Sequence, residues 1–201
     1  MHAMLSALGE AQLRSWLAAW PDGQGPHGIS AADAPPARHT LRVLEWLPRA
    51  ARAAPSFSAP LCTMLCQAAP DLEWRQTYTQ ADVLSGAIEA AFLDHYGWCE
   101  VLGPRAATRS DGMASGFLLL GPQTHYPSHR HESEELYLPL SGTAWWWQGA
   151  GEGQWQQRQP GALIHHASFE PHAMRTDDDP LLALYIWRGG NVHTKAAFLP
   201  S

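Results

Sequence analysis

Hydrophobic positions along this chain change their period about halfway. In the first part, Leu5, Leu8, Leu13, Trp16, Leu17 and Trp20 recur at threes and fours, the repeat of one helix face. The breakers in Pro21-Asp-Gly-Gln-Gly-Pro26 end that helix, and Ala31 to Pro36 reads as a second loop. A new amphipathic pattern runs from about Thr40 through Leu41, Leu44 and Leu47 towards Ala54, with Pro48 interrupting it. Shorter helices are predicted over 61–68 and 81–96. The latter carries Val83, Leu84, Ala87, Ile88, Ala91 and Phe92 at helical spacing.

After Gly103-Pro104 the texture becomes strand-like. Gly116-Phe-Leu-Leu-Leu-Gly121 is a short apolar run between glycines, and similar runs follow at 136–140, 143–148, 154–158, 162–165 and 181–187. Gly, Pro, Ser and Asp clusters separate them at spacings typical of an all-β sandwich or barrel. The expected organisation is a helical N-terminal region, residues 1–104, packed as a cover on a small antiparallel barrel, residues 105–201.

Composition narrows the partners. With 201 residues, 45% of them hydrophobic and only 16% charged, the chain can bury a real core and is not a solvating chain. A net charge of −6 without a basic cluster argues against nucleic acid. Cys62, Cys66 and Cys99 lack the spacing of a disulfide framework, so a reducing compartment is expected. The N-terminus has no basic n-region, and no window approaches the roughly 20 apolar residues that span a bilayer. These features predict a soluble, cytoplasmic protein without a membrane partner. The aromatic excess on short strands is compatible with an apolar homodimer interface.

The chemistry concentrates in His129-Arg-His-Glu-Ser-Glu-Glu-Leu-Tyr-Leu-Pro-Leu-Ser-Gly142, with His172 following in Phe-Glu-Pro-His-Ala. Residues two apart on a strand share a face, so His129 and His131 can both point inward while Arg130 points out. A lone His-x-His is more often a pair of surface histidines. Here Glu135, Gly142, Pro160-Gly161 and Pro171-His172 accompany it, and three imidazoles with one carboxylate suit a divalent transition metal with positions left for a substrate.

At this point the chain resembles the cupins. Gly121–Gly142 matches their first conserved motif, and Pro160-Gly161 through His172 is similar to their second, with Ala167-Ser168 where a Pro-containing turn is common. The resemblance implies a mainly β fold, a cupin (jelly-roll) barrel with an α-helical N-terminal region, and metal ligands at His129, His131, Glu135 and His172. Tyr126, five residues before His131, and Tyr137, two after Glu135, together with Tyr185 and Trp187, narrow it. That combination is similar to the cupin-type dimethylsulfoniopropionate (DMSP) lyases, which cleave DMSP to dimethyl sulfide and acrylate.

That resemblance implies a metal-dependent carbon–sulfur lyase holding one Zn, Fe, Mn or Ni ion per chain. Elimination needs a base for the proton alpha to the carboxylate. Tyrosine fills that role when a nearby cation favours its phenolate, with Tyr137 the first choice and Tyr126 the second. The sulfonium end calls for aromatic faces. Tyr185 and Trp187 are the residues implied as substrate-binding, with only one of them expected to face the cavity. Of Trp145-Trp146-Trp147 at least one is expected in the core. His125, His165 and His166 are left outside the site, and His95 is read as a helix-surface residue. Two other readings share the ligand set: an Fe(II) cupin dioxygenase and a non-catalytic small-molecule-binding cupin.

Overall fold

The computed structural model describes residues 15–18, 20, 40–149 and 154–199. Most of the helix expected between Leu5 and Trp20, and the loops after it, lie outside these, although residues 15–17 are helical. A 3-10 turn, Arg42–Trp46, leads into α1, Leu47–Arg52. Pro48 does not interrupt this helix but starts it, because a first-turn proline lacks only an N–H that would be unpaired anyway. Helix α2, Ala59–Ala68, follows the expected pattern. The helix predicted over 81–96 is instead two short ones, α3 (Gln80–Leu84) and α4 (Ala90–Asp94), with Gly86 at positive φ between them. Thr79 and Asp82 form a capping box that fixes the start of α3.

Eleven strands are named among the described residues: β1 Trp74–Arg75, β2 Tyr96–Leu102, β3 Met113–Leu120, β4 His125–Arg130, β5 Glu134–Ser141, β6 Ala144–Gln148, β7 Gln156–Arg158, β8 Ile164–His166, β9 His172–Thr176, β10 Leu181–Arg188 and β11 Ala197–Phe198. They form two antiparallel sheets, one ordered β1-β2-β3-β10-β5-β8 and the other β11-β4-β9-β6-β7. Strands β1 and β2 precede residue 104 and extend the larger sheet, so strand structure begins earlier than the change of texture suggests.

The larger sheet is buried on both faces. Its outer face meets α1 and α2, where Val43, Leu47, Leu61 and Leu65 pack with Phe117, Leu119, Leu136 and Leu184. Its inner face meets the smaller sheet through Leu118, Tyr137, Tyr185, Trp146 and Met174. Double burial explains why β3 reads as an unbroken apolar run: all eight of its residues are buried. Ser58 Oγ donates to Leu140 O at 2.6 Å and Ser141 Oγ to Ala50 O at 2.5 Å, tying the helical layer to the end of β5. Gly142, at φ +80°, then turns the chain into β6. A Cβ there would stand 2.0 Å from Pro180 O, so this position admits only glycine without rearrangement.

Candidate metal centre and its cavity

Sheet register brings the motif residues together. In the β4–β9 pair, Tyr126 opposes Met174 while His129 opposes His172, so β4 carries one extra residue between them. This bulge turns Tyr126 and His129 to the same side despite their spacing of three, and their rings stack at 4.0 Å and 8°. Past β4 the chain bends at residues 132–133, and β5 then returns with Glu135 facing inward. His129, His131, Glu135 and His172 are all buried, whereas Arg130 is exposed, as the alternation of strand faces requires.

The three imidazoles are oriented alike. Nδ1 of His129 lies 2.8 Å from Pro127 O, that of His131 2.9 Å from Ser133 O, and that of His172 2.9 Å from Glu170 O. A peptide carbonyl only accepts, so each Nδ1 carries a proton, which in a neutral ring leaves Nε2 its lone pair. Nε2 of His131 stands 2.9 Å, and Nε2 of His172 3.2 Å, from the same carboxylate oxygen, Glu135 Oε2. His172 Nε2 is buried without a hydrogen-bond partner. Acceptors converging in a dry interior are unfavourable unless a cation lies at their focus. The ligand atoms of His131, Glu135 and His172 all lie within 4.8 Å of one another, a group that fits a metal ion. His129 stands beside that group, its ring 4.2 Å from the His172 ring.

Electrostatics agree with this donor set. Burial alone would raise the Glu135 carboxyl, but positive charge beside it, from protonated His131 and His172 or from a metal cation in their place, would hold it well below the usual carboxylate range. Burial pushes the His129 imidazole well below its ordinary value and keeps it neutral, the form that binds metals. Trp187 supports two members at once, donating Nε1–H to Glu135 Oε1 at 2.7 Å and stacking on His131 at 4.2 Å. Partners of this kind fix the orientation of ligands in metal sites.

A cavity of about 630 Å³ opens beside the group, and Tyr126, His129, Glu135, Tyr137, Tyr185 and Trp187 line it. Both Tyr185 and Trp187 face it, which corrects the expectation that only one would: two apart on β10, they share a face. Burial pushes the Tyr126 and Tyr137 phenols well above their ordinary value, with Tyr78 and Tyr96 adding at Tyr126 and Glu135 adding at Tyr137. Trp146 points inward, 5.0 Å from Tyr137, while Trp145 and Trp147 lie half-buried on the other face of β6. His125 is exposed and meets Trp155 edge-on, away from the site. His95 is half-buried, its Nδ1 3.2 Å from Thr124 Oγ1, rather than on an open helix surface.

Two features lie outside the sequence motifs. His166, which opposes Glu135 across β5–β8, is fully buried and stacks flat on His172 at 4.0 Å and 8°, with no hydrogen-bond partner at either nitrogen. Its parity with Glu135 would have revealed it had the register been known. Tyr78, Tyr96 and Trp98 come from the chain's first half. Tyr96 and Trp98 line the cavity, and the Tyr78 hydroxyl lies 2.8 Å from that of Tyr126. No motif marks them. Among the described residues no helix is long and apolar enough to cross a membrane.

Comparison with known proteins identifies relatives of the chain and of its fold. The chain is 34% identical over 118 residues to the dimethylsulfoniopropionate lyase DddQ of Ruegeria pomeroyi, covering 58% of this chain and 55% of the relative. It is 32% identical over 127 residues to a putative dimethylsulfoniopropionate lyase, DddL, of Cereibacter sphaeroides, covering 62% and 49%. It thus spans about half the length of the curated relatives it matches. A crystal structure from a study of the DMSP lyases RdDddP and RnDddQII superposes with a TM-score of 0.74 at 32% identity over 98% of both chains. The DddQ structure from R. pomeroyi superposes at 0.77 with 23% identity, over 98% of this chain and 97% of that one, and supports the shared fold. A sequence profile of the dimethylsulfoniopropionate lyases matches residues 29–183, and the chain belongs to that family.

Proposed function

We propose that this protein is a metal-dependent carbon–sulfur lyase that cleaves DMSP to dimethyl sulfide and acrylate. One observation carries the reading: two imidazole Nε2 atoms and a carboxylate oxygen converge beside a cavity into which Tyr126 and Tyr137 also project. His131, Glu135 and His172, with His129 as the fourth ligand, would hold a divalent Zn, Fe, Mn or Ni ion. Bound there, the cation would stabilise negative charge developing on the substrate carboxylate and favour a tyrosine phenolate.

The chain's own residues do the rest. Tyr137, two residues along β5 from Glu135 and on the same face, takes the proton alpha to the carboxylate. The electrons of that C–H bond form the Cα=Cβ double bond, and the Cβ–S electrons leave with sulfur as neutral dimethyl sulfide. Tyr126, fixed against His129, orients the substrate or serves as the base in place of Tyr137. Tyr185 and Trp187 offer aromatic faces to the sulfonium, worth on the order of 0.5–2 kcal/mol per contact. In this reading residues 105–199 carry the metal site while β1, β2 and the described helices before residue 104 pack around it, and the three free cysteines suit a cytoplasmic location. The test is gas chromatography of purified, metal-loaded protein incubated with DMSP. Dimethyl sulfide with matching acrylate, lost in His131→Ala, is the expected result; no product with any of the four metals would refute it.

A further inference from the structure

The cover contributes more than a wall. We propose that Tyr78 is a positioning residue of the active site, which fixes the Tyr126 hydroxyl; this rests on the lyase reading above. Tyr78 lies between β1 and α3, in a stretch with no motif residue. Its side chain is 1% exposed, and its hydroxyl oxygen is 2.8 Å from that of Tyr126. The ring is held on several sides: stacked on Phe198 at 4.4 Å, against Tyr96 at 5.6 Å, and edge-on to Tyr126 at 5.7 Å and Phe92 at 5.9 Å. A ring so enclosed has few rotamers open to it, and its hydroxyl occupies one place.

Tyr126 is pinned at its other end, its ring flat on His129. The hydroxyl pair then decides where its remaining freedom goes. Two facing hydroxyls share one O–H···O bond, so one of them donates and the other accepts. If Tyr126 holds a substrate group by donation, its proton is free for the cavity only while Tyr78 donates to it. If Tyr126 is a phenolate it has no proton, and Tyr78 is the donor. Both roles open to Tyr126 therefore demand the same bond from Tyr78. The Lys195 ammonium lies 4.8 Å over the Tyr78 ring and pairs with Asp82 at 3.1 Å. The segment after β10 and helix α3 thus meet on the residue that holds Tyr126.

A double-mutant cycle on zinc-loaded protein tests this, comparing Tyr78→Phe, Tyr126→Phe and the double variant for kcat and KM on DMSP. Tyr78→Phe keeps the packed ring, and thermal unfolding verifies that the fold survives. Zinc affinity is read separately by competition with a chromogenic chelator. The expected result is a kcat lowered about ten- to hundredfold by Tyr78→Phe, with KM and zinc affinity within about twofold. In the Tyr126→Phe background the same change is expected to cost nothing further. Full kcat in Tyr78→Phe, an equal loss in both backgrounds, or weakened zinc binding would each overturn the proposal while leaving the lyase reading in place. A wild-type protein that releases no dimethyl sulfide would overturn both.

Discussion

Trp187 and Glu135 oppose each other across β10 and β5, and the indole N–H of one donates to the carboxylate of the other at 2.7 Å. That bond uses Oε1 and leaves Oε2 to the imidazoles. Trp187→Phe would preserve an aromatic ring over His131 but leave Oε1 without its donor. Metal affinity should fall about 10- to 100-fold, as competition with a chelator would read. Unchanged affinity would make Trp187 a substrate wall alone.

Metal removal should cost stability as well as activity. The converging acceptors repel one another without a cation, and a ligand that binds only the folded state stabilises it by about 4 kcal/mol at a thousandfold excess over Kd. Zinc added to chelator-stripped protein should raise the unfolding temperature, and the rise should vanish in His172→Ala. A rise retained in that variant would point to a site elsewhere.

The two tyrosines separate by kinetics. As the base, Tyr137 contributes on the order of 10²–10⁴ in rate, so Tyr137→Phe should lower kcat by that factor with KM nearly unchanged. Tyr126→Phe should be milder. The reverse order, read from initial rates on DMSP, would exchange their roles.

The cysteines should withstand acrylate, a thiol-reactive alkene. Burial pushes Cys62 to about 11 and Cys99 to about 12, and it raises half-buried Cys66 as well. A raised thiol pKa means the reactive thiolate grows in only as pH climbs towards those values; at pH 8 it is a fraction of about 10⁻³ for Cys62. Intact-protein mass spectrometry after incubation with acrylate at pH 8 should show no adduct on native protein and adducts on unfolded protein. Alkylation of the folded chain would contradict the burial.

Gly142→Ala should destabilise by about 2 kcal/mol or more, because the residue is held at positive φ and the added Cβ would overlap Pro180 O. Urea unfolding measures it. An unchanged midpoint would show that this turn can adopt another path.

Much of this was legible in the chain. The runs at 116–121, 136–140 and 181–187 became β3, β5 and β10, because short apolar stretches between turn formers have few other ways to be buried. The helix predicted over 81–96 failed at Gly86, whose positive φ ended α3. Tyr96–Leu102 then became a strand because β3 offered it a sheet edge, a choice no local pattern announces.

For the site, the sequence by itself determined the chemical inventory: which imidazoles, carboxylate and phenols sit close to one another along the chain, and the family they resemble. Only the tertiary structure decided which of them meet. The bulge in β4 turned Tyr126 onto His129, the β5–β8 register brought His166 beside Glu135, and packing of the first half placed Tyr78 against Tyr126. Such contacts depend on strand register and on elements far apart in sequence, and a one-residue shift in register moves every side chain to the opposite face.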